Sequence, residues 1–482
     1  MSKIKSLILG SAAGLVAIGG AQAADLPLKA KAVEYVKVCS LYGAGFYYIP
    51  GTDTCIKIGG YLRFDANYHG GVYDQPFWSF QNGANTRDVN QLNMRSRMAV
   101  TIDTRTATEY GVVRTFGQGD WQWSTGTDVV GGGSFALENA FVQFAGFTFG
   151  KSASVYSTPW HGYPGNNTSF LLGGEDSVTG VNNIHYTFDF GNGFSASLGV
   201  DESIAWGRTT LANLSAGGIT NTGLSTVNGY GGQDAPDFVG NIKLDQAWGL
   251  LQLSGAAHQI RTGYYGANEL TGHPEDEWGF AVMGAIELRN LPTGPGDYLR
   301  FDASYADGAT KYVIATSGTS PSFGIINGNT VAFGLTSDGL FGPLGGLGNG
   351  EVQKTQAWGI RGAFVHNWSP YWQSSVFGSY SQVSYNGTAS ALYCAAFGAT
   401  VAGQGVSYTC DPDYNIAQIG FRHAWTPVKN LTLSAEVQYV MLDTGFSGST
   451  AGPYVVGTKV LPTAQFGDVN TTSVNFRIQR NF

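Results

Sequence analysis

Three arginines are the first residues whose type and placement can do work: Arg63, Arg95 and Arg97 all sit on the polar side of stretches that alternate strictly between apolar and polar residues. A guanidinium is charged at any ordinary pH and presents five donors in a rigid fork, so it attracts anionic or dipolar groups without reacting with them. Arg95 and Arg97, two positions apart, share one side of an extended strand. The three read equally as a basic ladder facing a solute and as solvated charge at no particular depth, because alternation fixes the face a residue takes and not its height. Arg114 joins them on a less clear register, since Tyr110, Val112 and Phe116 share its parity.

Covalent chemistry finds little support. No His-Glu-x-x-His and no Gly-x-Ser-x-Gly occurs. The run Gly146 to Ser152 resembles a phosphate loop, but its glycine spacing is one residue short, and its phenylalanines alternate as a strand does rather than opening a helix. His161, His185 and His258 have no sequence partner and read as satisfied or solvated histidines. No metal or cofactor set emerges. Four cysteines form two local pairs, Cys39 with Cys55 and Cys394 with Cys410. In an exported protein they read as two disulfides closing short loops, the alternative being four buried thiols.

The elements that carry these residues follow from period-2 patterning. From Ile56 to Tyr68 one face holds Ile58, Leu62, Phe64 and Tyr68 and the other Lys57, Arg63, Asp65 and Asn67; from Leu92 to Asp103, Leu92, Met94, Met98 and Ile102 oppose Asn93, Arg95, Arg97 and Asp103. Met94 and Met98 read as filler on the oily side. These runs exceed the 5 or 6 residues usual in soluble sheets and match the roughly 9 to 11 that a bilayer core demands of a tilted strand. A hairpin around Gly191-Asn192-Gly193 repeats the pattern, and further runs, including 107 to 117, 135 to 145, 147 to 152, 277 to 288 and 431 to 442, bring the count to about sixteen.

Connections alternate in kind. Those at 104 to 106, 191 to 193, 246 to 249 and 367 to 371 are short; those at 69 to 90, 153 to 181, 202 to 236, 307 to 355 and 385 to 413 are long and rich in Gly, Ser, Thr and Asn. Short periplasmic turns and long extracellular loops mark a transmembrane β-barrel. The expected fold is therefore all-β, a 16-stranded antiparallel transmembrane barrel over 56–482. Strands facing lipid must close on themselves, since each unpaired backbone group in hydrocarbon costs several kcal/mol. Val474, Phe476, Ile478 and Phe482 share one face of a terminal strand that would close against the first; Arg480 interrupts that face, at about 0 to 1 kcal/mol if it lies near the rim.

Composition agrees. Charged residues are 12% of the chain, against about 25% in soluble domains, and outside the leader no run of eighteen apolar residues supports a membrane helix. A net charge of −8 argues against nucleic acid as a partner. Residues 1–23 read as an export signal, with Lys3 and Lys5, an apolar core and Ala21-Gln22-Ala23 before a cleavage site. Residues 24–55 then form an N-terminal periplasmic segment leading into the first strand.

The chain also resembles a known family. Ala24-Asp25-Leu26-Pro27, the stretch from Val33 to Cys39, Cys55 to Tyr61, Gln143 to Gly150 and the closing Phe476 to Phe482 are similar to the general porins of the alphaproteobacteria, over essentially the whole length. The resemblance implies a homotrimer in the outer membrane, in contact with lipid and lipopolysaccharide, that lets small hydrophilic solutes and ions diffuse passively. It also implies a loop folded into the lumen, which would fall at 153–181. Glu175 and Asp176 on that loop would face Arg63, Arg95, Arg97 and Arg114 across a constriction and set up a transverse field. The plainer reading is an exposed acid pair, far short of the six oxygen ligands calcium takes. The alternatives are a channel specific for sugars or anions, a barrel hydrolase, and an adhesin.

Overall fold

In the computed structural model, residues 37–71, 75–167, 170–175, 177–206, 209–316, 319–402 and 405–482 are described; the leader and Asp176 lie outside them. Sixteen strands form the wall: β1 (Cys55–Tyr68), β2 (Leu92–Thr108), β3 (Gly111–Ser124), β4 (Ser134–Phe144), β5 (Phe147–Ser152), β6 (Val181–Gly191), β7 (Phe194–Asp201) and β8 (Asp237–Gln246), followed by β9 (Gly249–Ile260), β10 (Glu277–Arg289), β11 (Tyr298–Asp307), β12 (Gln353–Asn367), β13 (Trp372–Tyr385), β14 (Tyr414–Val428), β15 (Leu431–Thr444) and β16 (Val469–Asn481). Each pairs antiparallel with the next. The sheet closes where β16 pairs with β1, Tyr61 opposite Asn481 through Tyr68 opposite Val474.

Burial runs opposite to that of a water-soluble protein. On β1, Ile58 and Leu62 are 51% and 54% exposed, whereas Asp65 and Asn67 are 0% and 1% exposed. Apolar side chains point to lipid and polar ones to the interior, as the alternation required. Met94 and Met98 lie on the outer face, and Arg480, also outward, reaches the Lys429 carbonyl at the rim.

The short connections gather on one rim. The first of them differs from expectation: 104 to 106 is strand, and the turn falls at 109–110, so that β2 runs to Thr108 and β3 from Gly111 to Ser124 rather than over 107 to 117. Asp103 accepts from Arg105 (3.0 Å) and Arg114 (3.0 Å), so the polar residues there continue the ladder instead of ending it. Gly111, at φ 113°, supplies the left-handed backbone that the turn needs.

Cys39–Cys55 and Cys394–Cys410 are both disulfides. The first ties the chain ahead of β1 to the short-turn rim, where Tyr47 and Tyr48 pair with Ile56 and Cys55 and the Arg105 guanidinium lies 4.9 Å from the Phe46 ring. The second joins helix α1 (Gly387–Thr400) to Cys410, just past the end of the strand Val406–Thr409.

The long connections are not the open loops that their composition suggested. Phe323–Asn327, Thr330–Gly334, Gln465–Phe466, Ser447–Thr450 and Val406–Thr409 form a separate five-stranded sheet. Phe333, on Thr330–Gly334, has ring centroids 4.7 Å from Phe446, 5.7 Å from Phe397 and 6.0 Å from Phe466. Each such buried ring contributes about 1.5–3 kcal/mol, so the long-loop rim carries a folded cap whose apolar core continues into the barrel through Tyr156, Leu172 and Val239.

One strut of that cap enters the barrel. Lys311, fully buried, lies 2.5 Å from Asp237 of β8, which also accepts from Tyr312 (2.7 Å) and contacts His258 of β9 (2.7 Å). Asp338 accepts from Tyr230 (2.6 Å) and from the Thr310 amide (2.6 Å). A buried lysine is tolerated only when paired in this way. His258 is thus a structural, hydrogen-bonded histidine.

Two outcomes follow. Leu62→Arg places a charge on the lipid face and is expected to cost about 2–4 kcal/mol if it lies at mid-depth, read as a lower urea midpoint for folding into detergent micelles; Tyr110→Arg at the rim should shift it little. The second concerns Asp297, in the turn before β11: burial raises its carboxyl, but the Asn367 amide (2.8 Å), His366 (2.6 Å) and Thr293 (2.7 Å) outweigh that and hold it down at about 2. A depressed folded value means the stabilisation is complete above the unfolded carboxyl value of about 3.9 and is lost as pH falls through about 2. Asp297→Asn should flatten that acid limb in a pH series of thermal melts.

Candidate functional site

The inside of the barrel is divided by the connection between β5 and β6. Its described residues stay within the lumen and are held by inward side chains of the wall. Ser154 donates to Asp201 (2.5 Å), Asn241 and Gln252 donate to the carbonyls of Val155 (2.6 Å) and Ser157 (2.9 Å), and Ser375 to that of Pro164 (2.6 Å). The Asn166 amide meets Glu436, its side chain donates to Asn475 (2.7 Å), and Gln418 spans the Phe170 carbonyl and the Leu172 amide, both at 2.8 Å. A segment with this many fixed backbone groups behaves as part of the wall, since buried polar networks rigidify when satisfied.

Its far end is pinned by charge. Arg361 of β12 donates to both oxygens of Asp302 (2.9 and 3.0 Å) and to the Glu175 carbonyl (2.6 Å), while Tyr163 donates to Asp302. Burial and the adjacent Asp302 charge raise the Tyr163 hydroxyl well above its ordinary value, so it remains a proton donor. Glu175 itself is 1% exposed and lies against the β11–β12 side.

What the segment leaves open is a cavity of about 1130 Å³ bounded by the early strands and β16. Arg63, Arg95 and Arg97 all line it, together with Arg477, Lys243, Asp120 and Glu138. The register explains the grouping: Arg63 stands opposite Arg97 on β2 and Gln479 on β16, and Asp65 stands opposite Arg95 and Arg477. Asp65 bridges Arg95 (3.1 Å) and Arg477 (2.6 Å). Arg97 reaches Asp120 (2.9 Å) and Glu138 (3.9 Å). Arg63 donates to Gln479 (2.8 Å) and lies over the Tyr61 ring at 4.5 Å.

Two residues singled out from sequence fall elsewhere. Arg114 is bound to Asp103 (3.0 Å) and Gln143 (2.9 Å) near the short-turn rim. It sits eight positions along β3 from Gln122, the partner of Arg97, roughly 27 Å at 3.4 Å per residue. Glu175 is on the β11–β12 wall rather than across a gap from the arginines. The main residue not picked out was Arg477. Its signal was present, because Phe476 and Ile478 point outward on β16 and so turn Arg477 inward.

Comparison with known proteins gives a consistent result. The model of the porin subfamily matches residues 25–470. Porin Omp2b of Brucella suis biovar 1 is 35% identical over 259 residues, 52% of this chain and 64% of that protein, and Omp2b of Brucella abortus (strain 2308) matches to the same extent. The alignment thus spans less than two thirds of these relatives. Among solved structures, the outer membrane channel DcaP of Acinetobacter baumannii superposes with a TM-score of 0.56 at 14% identity, covering 90% of this chain and 99% of that one, a likeness of fold alone. A closed sixteen-stranded barrel with a polar interior and a family match along nearly its whole length leave one assignment: the chain belongs to the porin subfamily of bacterial outer-membrane proteins.

Proposed function

We propose that the protein is a general diffusion porin, a water-filled channel through which small hydrophilic solutes and ions cross the outer membrane down their gradients. The observation that carries this reading is the open cavity of about 1130 Å³, walled by charged and amide side chains inside a closed barrel. A lumen of this kind discriminates by size and charge. Arg63, Arg95, Arg97 and Arg477 form the basic side of its constriction, and the connection 153–181 is the segment that narrows it. Glu175 serves to anchor that segment through Arg361. Arg114 acts at the periplasmic mouth, where the short turns lie. No catalytic step is required of any residue, and three copies assemble side by side through lipid-facing strands.

The direct test is planar-bilayer conductance of the detergent-extracted protein. Stepwise, ohmic openings are expected; no openings from protein shown to be folded and inserted would overturn the porin reading. A second measurement probes the anchor. Arg361→Ala strips a buried carboxylate and a carbonyl of their partner, a loss on the order of 3–5 kcal/mol. The segment should loosen, with larger and noisier single-channel currents while the barrel still migrates as a folded species in unheated gels.

A further inference from the structure

We propose that a second segment shares the lumen: Thr310 to Thr316, from the connection between β11 and β12, clasps the inserted β5–β6 connection and with it fixes the largest solute that the pore admits. The proposal rests on the diffusion-channel reading and adds the residues that set its size limit.

The wall leaves room for this segment. Where a barrel interior is filled with water, its inward positions are polar. On β9 to β12 the inward positions include Ala256, Ala281, Met283, Ala306 and Ala357, each 8% exposed or less. Side chains so small and apolar pack against protein, and Tyr312, Val313 and Ile314 belong to the same apolar cluster. Thr310 through Ala315 are 0% exposed, so solute does not pass on the side that they fill. The open cavity lies instead along the early strands, where Arg63, Arg95 and Arg97 point inward.

The segment is fixed both to the wall and to the cap. Lys311 reaches Asp237 of β8 (2.5 Å), and the Tyr312 hydroxyl donates to the same carboxylate (2.7 Å). The amide and the hydroxyl of Thr310 both donate to Asp338 (2.6 and 3.0 Å), on the short strand Ser337–Phe341. A buried, satisfied polar network of this kind holds its members in one position.

From that position it meets the inserted connection at both ends. Near the start, the rings of Tyr156 and Tyr312 have centroids 4.5 Å apart. Near the end, the Gly173 amide donates to the Val313 carbonyl (2.9 Å), and Gly174 pairs in parallel with Ile314. The fit against β12 is equally close, since a Cβ added at Gly359 would lie 2.6 Å from the Gly173 Cα. Arg361 and Gly359 thus hold one side of the inserted connection, and Val313 and Ile314 hold another. Beyond Ala315 the same segment borders the cavity directly, through Thr316 and Thr319, which are joined hydroxyl to carbonyl at 2.7 Å. The narrowest section of a pore decides what passes, and displacing 310–316 both widens that section and frees the connection that lines it.

Single-channel conductance in the presence of neutral polyethylene glycols of rising mass reads the size limit, as the mass at which the polymer stops entering and lowering the current. Lys311→Met and Tyr312→Ala each release a hold on Asp237; each should raise the conductance by about 1.5-fold or more and move the limit to larger polymers, with gel heat-modifiability confirming folding. Leu270→Ala, at an exposed position of a different long connection, should change neither. Folded, conducting Lys311→Met and Tyr312→Ala channels with an unchanged limit would overturn the proposal. A milder variant tests it without disturbing the buried network: the described cysteines are all in disulfides, so a bulky thiol reagent has a single target in Thr319→Cys, and its attachment should cut the current by about half. Full current through the labelled Thr319→Cys channel would overturn the proposal even where the buried variants fail to fold. Absence of conductance from folded, inserted wild-type protein would instead remove the porin reading, and this proposal with it.

Discussion

Every backbone donor and acceptor that lies in hydrocarbon must find its partner inside the protein, and the ladder between β1 and β16 is where this chain meets that demand. Without it, two strand edges would face lipid. With it, the outer surface is side chain alone and apolar, and the inner surface must take every polar residue that the alternation leaves over. The grouping of Arg63, Arg97 and Arg477 is a by-product of the same closure, because β16 brings the end of the chain beside its first long strand.

Closure makes a tube, and the tube is then divided by charge. Arg361 with Asp302 on one side and Lys311 with Asp237 on another are ion pairs placed where water is excluded. Such pairs add little net stability, since desolvation offsets much of their attraction, but removing one partner leaves an uncompensated charge. Their effect is positional: the first holds the segment between β5 and β6 against β11 and β12, and the second holds the cap against β8 and β9. The open space is off-centre as a result, and the early strands and β16 border it.

The cap follows a different logic from the wall. Phe333, Phe397, Phe446 and Phe466 gather from three separate connections into one core, with a helix, a small sheet and a disulfide around them. Because this core is water-driven, as in a soluble domain, the barrel combines two solvents' rules in one chain: apolar outward where lipid lies, apolar inward where water lies.

The sequence by itself determined the wall. Strict alternation, strand length and the rhythm of short and long connections fix a closed sixteen-stranded barrel and the inward face of Arg63, Arg95 and Arg97, because period-2 geometry is local and leaves its record in neighbouring residues. The turn at 109–110 slipped from view because ion pairing lets polar residues continue a strand past the apolar band. Depth and partnership were decided only by the tertiary structure. Arg114 could be placed beside Arg97 only loosely from the chain, and register puts it eight positions along β3 from the partner of Arg97. Glu175 reads as a lumen acid until Arg361, 186 residues away, captures its carbonyl. The aromatic cap core, too, joins residues whose spacing carries no period. Contacts of that range are set by where whole strands and loops come to rest, which no local pattern encodes.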